Sequence, residues 1–241
     1  MKVTVVVPAH NEAKTIAACL NALAAQQTQY AVEVIVVDNA STDKTTEVAG
    51  CQRDKLQLNK LQLTILHEPQ KGRGAARRRG FAAARTAIVL STDADSEVPG
   101  DWVEELVNEL VSHPQIVAVS GSSYITDGTR LANWSMRIGM PLSLWLYRRI
   151  IGHTMLTGAN FAIRRSAYEK AGGFDADRNM LDDVDLSFRV ARQGTIRYLS
   201  RPKVKTEGDV FGRGYLRGFW HYFRHFPLLL RKYGWRRLGR N

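Results

Sequence analysis

The chain has 241 residues, of which 44% are hydrophobic and 24% are charged. This composition is ordinary for a globular protein, and the length allows one large domain, or one domain with an appendage, around a substantial core. The longest uncharged apolar stretch, residues 138–147, is too short to cross a bilayer. Two cysteines without metal-ligand or redox spacing favour a reducing compartment, and no signal peptide precedes the first predicted strand. The expected location is therefore cytoplasmic.

Apolar β-branched runs alternate with helical patterns along the first half of the chain. Strands are predicted over residues 3–8, 33–37, 61–66, 87–90 and 116–119, and helices over residues 12–27, after residue 43, and over 74–85 and 102–111. Asn11 is a candidate cap for the first helix. This βαβα order predicts an α/β fold with a doubly wound, mostly parallel sheet flanked by helices.

The second half of the chain departs from that alternation. Residues 122–157 are apolar and contain tryptophans, and they predict one or two helices lying across the domain. A short strand over 157–163 and a helix over 166–171 follow, and then a helix over 183–193. Residues 1–209 thus form the predicted domain, and residues 210–241 form a basic, aromatic, helical appendage.

Two carboxylates stand directly after the strand at residues 87–90. Asp93 and Asp95 flank one small residue, so both can turn toward a point beyond the strand's C-terminal end. Open α/β sheets bind their ligands at that edge. Carboxylate oxygens suit a hard divalent cation, which would in turn hold phosphates. Taken alone, an Asp-x-Asp sequence is more often a turn or a helix cap.

Other polar residues follow neighbouring strands. Asn11 and Glu12 come after the first strand and Asp38 after the second, so the group could bind a nucleoside with its diphosphate. Residues 71–77 add glycines that permit close backbone approach and cations that suit phosphate. The alternatives are a helix start at Asn11 and Glu12, a turn at Asp38, and a solvated helix face for the basic run.

Six motifs in this order resemble those of family 2 glycosyltransferases, which have the GT-A fold. They occupy residues 5–12, 36–43, 71–77, 93–95, 157–160 and 182–186. The resemblance implies an inverting transfer of a sugar from a nucleoside-diphosphate sugar to an acceptor hydroxyl, with a divalent metal. A lipid-linked acceptor is one form of this expectation. Within the domain, residues 1–120 would be the nucleotide-binding half and residues 121–209 the acceptor half.

The resemblance also implies roles for particular residues. The nucleoside pocket would be lined by Pro8, Asn11, Glu12 and Asp38. Lys71 and Arg77 would lie near the ribose and the diphosphate. Asp95, assisted by Asp93, would hold Mg²⁺ or Mn²⁺ beside the diphosphate, and a UDP-sugar is the favoured donor.

The sequence departs from the family pattern at several positions. An Asp182-Asp183 pair replaces the usual Glu-Asp, and Arg78 stands where the family commonly has asparagine. The histidine often found after the last core strand is missing around residues 205–207. The Gln-x-x-Arg-Trp motif of processive members is also missing, which argues against a polysaccharide synthase.

The transfer needs a base on the acceptor side of the sugar. A carboxylate there must take the proton from the attacking hydroxyl. Asp183 fits, because a helix N-terminus favours its ionised form, and Asp182 would support it or orient the acceptor. The competing interpretation is that both are helix-capping acids.

The net charge of +11 is concentrated toward the C-terminus, where no acidic residue follows Asp209. Arginines there alternate with aromatic residues and with Leu228, Leu229 and Leu230. We expect residues 215–240 to hold the protein peripherally at the anionic inner face of a membrane. Packing of a basic helix on the domain is the main alternative, and nucleic-acid binding is less favoured.

Two other functions share these features. A nucleotidyltransferase can use a similar sheet and Asp-x-Asp pair, but a glycine-rich loop usually follows its first strand. Here residues 8–12 occupy that position. A non-catalytic protein that binds a nucleotide sugar or a nucleic acid would keep the pocket or the basic tail without needing Asp183.

Overall fold

The computed structural model describes residues 1–57, 61–125, 130–206, 220 and 226–233. Its strands are β1 (Lys2–Ala9), β2 (Ala31–Asp38), β3 (Gln62–His67), β4 (Ile88–Ser91), β5 (Ser96–Glu97), β6 (Ile116–Ile125), β7 (Phe161–Arg164) and β8 (Thr195–Thr206). Its helices are α1 (Ile16–Ala24), α2 (Thr45–Gln57), α3 (Arg73–Ala83), α4 (Trp102–Ser112), α5 (Arg130–Ile151), α6 (Arg165–Lys170), α7 (Asp182–Val190) and α8 (Phe226–Tyr233).

All eight strands form one mixed sheet in the order β3-β2-β1-β4-β7-β6-β8-β5. Strands β1 to β4, β6 and β8 point one way, whereas β7 runs antiparallel to both its neighbours and β5 runs antiparallel to β8. The predicted α/β fold with a mostly parallel sheet is confirmed. The antiparallel β7 joins the two parallel groups.

Both faces of the sheet are buried, which explains the unbroken apolar runs in the strands. Val5 and Val7 face one hydrophobic cluster, with α1 and α4, while Val6 faces the other, with α3, α6 and α7. Because side chains alternate along a strand, a central strand covered on both faces is apolar at most positions, and its buried exception in β1, Thr4, is hydrogen-bonded to Glu33.

The first helix begins later than predicted. Asn11 has a left-handed backbone conformation with φ of 58°, and α1 starts only at Ile16. The Asn11 side chain does not cap α1, because its Oδ1 accepts hydrogen bonds from the backbone N and the Oγ1 of Thr42. The prediction of Asn11 as the helix cap is therefore wrong.

The strands in the second half of the sheet also differ from the prediction. Strand β6 continues to Ile125, into the region predicted as helical, because it pairs with the end of the long strand β8. The short strand β5 pairs with the same end of β8, one residue after Asp95. Long-range pairing of this kind leaves no periodic signal in a two-residue strand.

Helix α8 packs on the domain through its buried residues Leu229 and Tyr233. The Tyr233 ring stacks on Phe188 of α7, with ring centroids 4.9 Å apart. The expectation that Leu229 is available to enter a membrane is therefore wrong, since it is fully buried. Apart from residues 220 and 226–233, the predicted segment 210–241 lies outside the described residues. Among the residues described, no helix is both long and apolar enough to cross a bilayer.

Candidate active site

The C-terminal ends of β1, β2, β3 and β4 meet at one edge of the sheet. In the strand register, Ala9 lies opposite Asp38, which in turn lies opposite His67. The Thr92 backbone N, just past β4, donates a hydrogen bond to the Val6 carbonyl oxygen at 3.3 Å. The loops after these strands therefore converge, and they carry the residues that the sequence nominated.

Asp38 is a buried carboxylate at this edge. Its oxygens accept hydrogen bonds from the Ser41 backbone N at 3.3 Å and, when Nδ1 of His67 carries the proton, from that nitrogen at 3.1 Å. Burial favours the protonated acid, but hydrogen bonds from Ser41, His67 and Thr46 outweigh it and lower the pKa of Asp38. Asp38 therefore stays ionised near neutral pH and can only accept hydrogen bonds.

The loop after β1 is held to the loop after β2. The Asn11 backbone N donates to Ser41 Oγ at 3.0 Å, and the Glu12 backbone N donates to Thr45 Oγ1 at 2.7 Å. Asn11 is exposed and Pro8 is half-buried at the end of β1. These contacts fix the shape of the predicted nucleoside pocket.

The basic segment after β3 is fixed by Asn39, which the sequence did not single out as a site residue. Its Nδ2 donates to the carbonyl oxygens of Glu68 and Gln70, and its Oδ1 accepts a hydrogen bond from the Gly72 backbone N at 2.7 Å. Gly72 has φ of 143°, a conformation that favours glycine. Lys71 next to it is exposed, where it can reach an anionic ligand.

Asp95 is half-buried among other carboxylates. Burial, with the negative charges of Asp93 and Glu12, raises the pKa of Asp95 to about 7, while Ser96 and Arg73 partly oppose the rise. The site thus concentrates carboxylates at this end of the sheet. Arg73, near Asp95 at the start of α3, was in a quoted motif but not among the predicted site residues.

The oxygen donors here fit a hard divalent cation. Mg²⁺ in nucleotide sites is commonly held by one or two carboxylates, with substrate phosphates completing the coordination. No group of three or more metal-binding side chains occurs among the described residues. The residues present therefore fit a metal whose remaining ligands come from the phosphates of a bound nucleotide sugar. A cation at Asp95 would also relieve the repulsion that raises its pKa.

Arg77 joins the two sides of the site. Its Nη2 donates to Asp93 Oδ1 at 2.7 Å, and its Nη1 donates to Asp182 Oδ2 at 2.6 Å. Burial disfavours its charge, but the carboxylates of Asp182 and Asp93 outweigh burial and raise the pKa of Arg77. The side chain is 3% exposed, so the interpretation of residues 71–77 as a solvated helix face is wrong for Arg77.

Space for this guanidinium is kept by Gly158, in the loop before β7. A Cβ atom at that position would lie 2.2 Å from Arg77 Nη2, which is far inside contact distance. The glycine of the motif at residues 157–160 therefore leaves the room that the Arg77 side chain occupies. Asn160 in the same motif is fully buried, accepts a hydrogen bond from Trp102 Nε1 at 2.8 Å, and donates to the Ser122 carbonyl oxygen.

Asp183 lies in the first turn of α7 beside Asp182. Its Oδ2 accepts a hydrogen bond from the Gly158 backbone N, and its Oδ1 accepts one from the Val184 backbone N, both at 2.8 Å. Burial and the neighbouring Asp182 charge raise its pKa to about 6, against the lowering effect of Arg77 and the two amides. We predicted that the helix N-terminus would favour its ionised form, but burial and Asp182 dominate. The result is a carboxylate poised near neutral pH.

Comparison with known families identifies the domain to which this site belongs. The family model described as Glycosyl transferase family 2 matches residues 4–172. The chain is 31% identical over 206 residues to the probable glycosyltransferase YdaM of Bacillus subtilis, covering 80% of this chain and 47% of YdaM. It is 33% identical over 141 residues to the dolichyl-phosphate beta-glucosyltransferase ALG5C of Trichomonas vaginalis, covering 54% and 41%. The chain thus spans about half the length of these relatives, or less.

The fold is also similar to solved structures. Mannosyltransferase PcManGT of Pyrobaculum calidifontis, solved in complex with GDP-Man and Mn²⁺, superposes with a TM-score of 0.70 and 25% identity. The match covers 95% of this chain and 68% of that one. The sheet has the GT-A arrangement that the sequence resemblance implied.

Proposed function

The chain belongs to glycosyl transferase family 2, and we propose that it transfers a sugar, with inversion, from a nucleoside-diphosphate sugar to an acceptor hydroxyl. One observation carries the proposal: the buried Arg77 guanidinium binds Asp93 on one side and Asp182 on the other. It thereby sets a carboxylate pair suited to a metal and diphosphate against a carboxylate pair suited to proton transfer.

The donor base is proposed to be uracil. Asp38 is held ionised, so it can accept a hydrogen bond from the single imide N–H that uracil presents. Pro8, Asn11 and Glu12 would border the same pocket, with Lys71 near the diphosphate. The similar mannosyltransferase was solved with GDP-Man, which makes guanine the alternative base against which uracil is tested.

Asp95, with Asp93 beside it, is proposed to hold Mg²⁺ or Mn²⁺. When bound, that cation neutralises charge on the departing diphosphate and orients it. Asp93 already accepts from Arg77, so Asp95 is the stronger candidate as the metal ligand. The Mn²⁺ in the similar mannosyltransferase supports the choice of metal.

Asp183 is proposed to be the general base. The acceptor O–H proton passes to the Asp183 carboxylate as the acceptor oxygen bonds to the anomeric carbon, and the bond from that carbon to the diphosphate breaks. A pKa near 6 leaves most of the carboxylate ionised at pH 7 while keeping it basic enough to take the proton. Asp182 is occupied by Arg77, which fits a supporting role.

The test is a donor panel read by thermal stabilisation and by release of nucleoside diphosphate. We expect UDP-sugars to stabilise the protein when Mn²⁺ is present and to lose that effect with a chelator. Asp183→Asn should keep donor binding but lose turnover by about 10² or more. Asp101→Asn, an exposed acid at the start of α4, is the matched control and should behave as wild type.

Five results would each contradict a part of the proposal. Metal-independent donor binding would remove Asp95 from its role, and an equal response to GDP-sugars would remove uracil specificity. Retained turnover in Asp183→Asn with loss in Asp182→Asn would move the base to Asp182. Release of inorganic pyrophosphate from a nucleoside triphosphate would favour the nucleotidyltransferase alternative, and donor binding without any turnover would favour a non-catalytic binding protein.

The acceptor is proposed to be lipid-linked and to be met at the inner face of a membrane. The relative ALG5C is a dolichyl-phosphate beta-glucosyltransferase by name, which supports a lipid-linked acceptor for this chain. The basic C-terminal segment adds charge suited to an anionic surface. Extraction of lipid-linked product from a reaction with membranes would test this assignment.

A further inference from the structure

Helix α5 presents a broad apolar face to solvent. The exposed residues of this face are Trp134, Ile138, Leu142, Trp145, Leu146 and Ile150, each between 42% and 61% exposed. At 3.6 residues per turn they fall within an arc of about 160° on one side of the helix. Large exposed apolar side chains gathered on one side of a helix, here with the exposed Arg149 among them, indicate an interaction site rather than ordinary protein surface.

The opposite face of α5 packs against the helix that carries the proposed base. Ile151 and Tyr147 join the hydrophobic cluster that contains Val184 and Phe188 of α7. The Tyr147 ring meets Phe188 edge-on, with centroids 6.5 Å apart, and burial, together with the negative charge of Asp183, raises the pKa of Tyr147. Whatever covers the outer face of α5 therefore lies one helix away from the proposed acceptor side.

The charge of α5 indicates what that partner is. The helix contains four arginines and no acidic residue, and the adjacent Arg148 and Arg149 are both exposed. Tryptophan and arginine beside aliphatic residues suit the boundary between lipid headgroups and acyl chains. A second copy of this chain fits less well, because pairing α5 with itself would bring arginines together without a carboxylate in either helix.

We infer that the outer face of α5 docks onto an anionic membrane surface, with its tryptophans and aliphatic side chains entering the headgroup boundary. This inference rests on the proposed function and deepens it. It places the α7 end of the site toward the bilayer, where a lipid-linked hydroxyl is presented. It also differs from the expected tail anchor, because α5 lies inside the domain.

The experiment measures cosedimentation with vesicles of phosphatidylcholine alone or mixed with phosphatidylglycerol, at low and high salt. Wild type should bind the anionic vesicles and should bind less at high salt. Trp134→Ser with Trp145→Ser should lower the partition coefficient about tenfold or more, because interfacial binding scales with buried apolar area. Val111→Ser, which removes an exposed apolar side chain from α4, is the control and should bind as wild type, whereas Trp220→Ser reports separately on the C-terminal segment.

Several outcomes would overturn the inference. Unchanged binding by the double variant would do so, as would loss of binding by Trp220→Ser alone, which would favour the tail. A dimer in ultracentrifugation that the double substitution dissociates would assign the face to a second copy. The melting temperature of every variant is also measured without vesicles, with and without a UDP-sugar and Mn²⁺. This measurement shows that the variants are folded, and it tests the proposed function separately. If UDP-sugars do not stabilise wild type but wild type still binds vesicles, the proposed donor is wrong and the proposed membrane contact of α5 is still supported.

Discussion

Replacing Asp95 with asparagine should make the ligand-free protein more stable at alkaline pH. The folded protein raises the Asp95 pKa from its usual 3.8 to about 7, so it prefers the protonated acid. Its contribution to stability is present below pH 3.8 and is lost as pH rises through 7. Asparagine remains neutral throughout and can still accept the hydrogen bond from Ser96 Oγ, which is 3.2 Å from Asp95 Oδ1.

The size of the effect follows from that rise in pKa. At 1.36 kcal/mol per pH unit, the full rise corresponds to about 4 kcal/mol at pH 8. Solvent screens the repulsion that Asp93 and Glu12 exert on Asp95, so we expect roughly half of this value, about 2 kcal/mol, in the free energy of unfolding. For a domain of this size, that is a melting temperature higher by about 4–8 °C.

Thermal unfolding of both proteins at pH 4 and pH 8 provides the assay. The two melting temperatures should converge at pH 4, where Asp95 is largely protonated in the folded protein. Adding UDP and Mn²⁺ at pH 8 should stabilise wild type and leave Asp95→Asn nearly unchanged, because binding to the native state raises apparent stability. Glu105→Gln, an exposed neutralisation on α4, is the control for net charge.

An Asp95→Asn variant that melts at or below the wild-type temperature at pH 8 would refute the reasoning. It would mean that Arg73 and solvent already compensate the Asp95 charge, and that no cation is needed to neutralise it. Equal stabilisation of both proteins by Mn²⁺ with UDP would place the metal elsewhere.

Three further predictions concern Asp183, Arg77 and the packing of α8. The rate should fall with an apparent pKa near 6 on the acid side, because Asp183 must be ionised to act as a base; a flat rate between pH 5 and 8 would contradict this role. Arg77→Lys should lower the free energy of unfolding by about 3 kcal/mol, because one ammonium cannot span both carboxylates. Denaturant titration measures that loss, and a wild-type midpoint would show that the bridge is dispensable. Tyr233→Phe removes the hydrogen bond of 2.8 Å to buried Asp185 and should cost about 1 kcal/mol. Denaturant titration also measures this loss in the free energy of unfolding, and an unchanged value would mean that the contact does not hold α8 on the domain.

The parts of the site that are local in sequence could be predicted. Asp93 and Asp95 follow a strand that is buried on every residue, and the position of a strand's end fixes where its next carboxylates lie. Asp38 follows β2 for the same reason. In each case the apolar run and the polar residue that ends it are adjacent, so a single window of sequence contains the signal.

The parts that depend on distant residues could not be predicted. Arg77 begins a run of three arginines, a pattern typical of an exposed helix face, yet it is buried against a carboxylate 105 residues away. The raised pKa of Asp183 likewise depends on burial that only the folded chain creates. The helical pattern of α5 indicated a helix, but periodicity does not show which of two apolar faces the domain covers.

The place of β7 in the sheet has a consequence for dissecting the protein. All four of its residues pair with β4 on one side and three of them pair with β6 on the other, although both of those strands come earlier in the chain. A fragment ending at residue 120 would lack β7, leaving a row of unpaired amide and carbonyl groups on two hydrophobic strands. Such exposed strands recruit other chains and aggregate. The two proposed halves should therefore be studied by substitution within the intact chain, or by co-expression of both pieces, rather than as isolated domains.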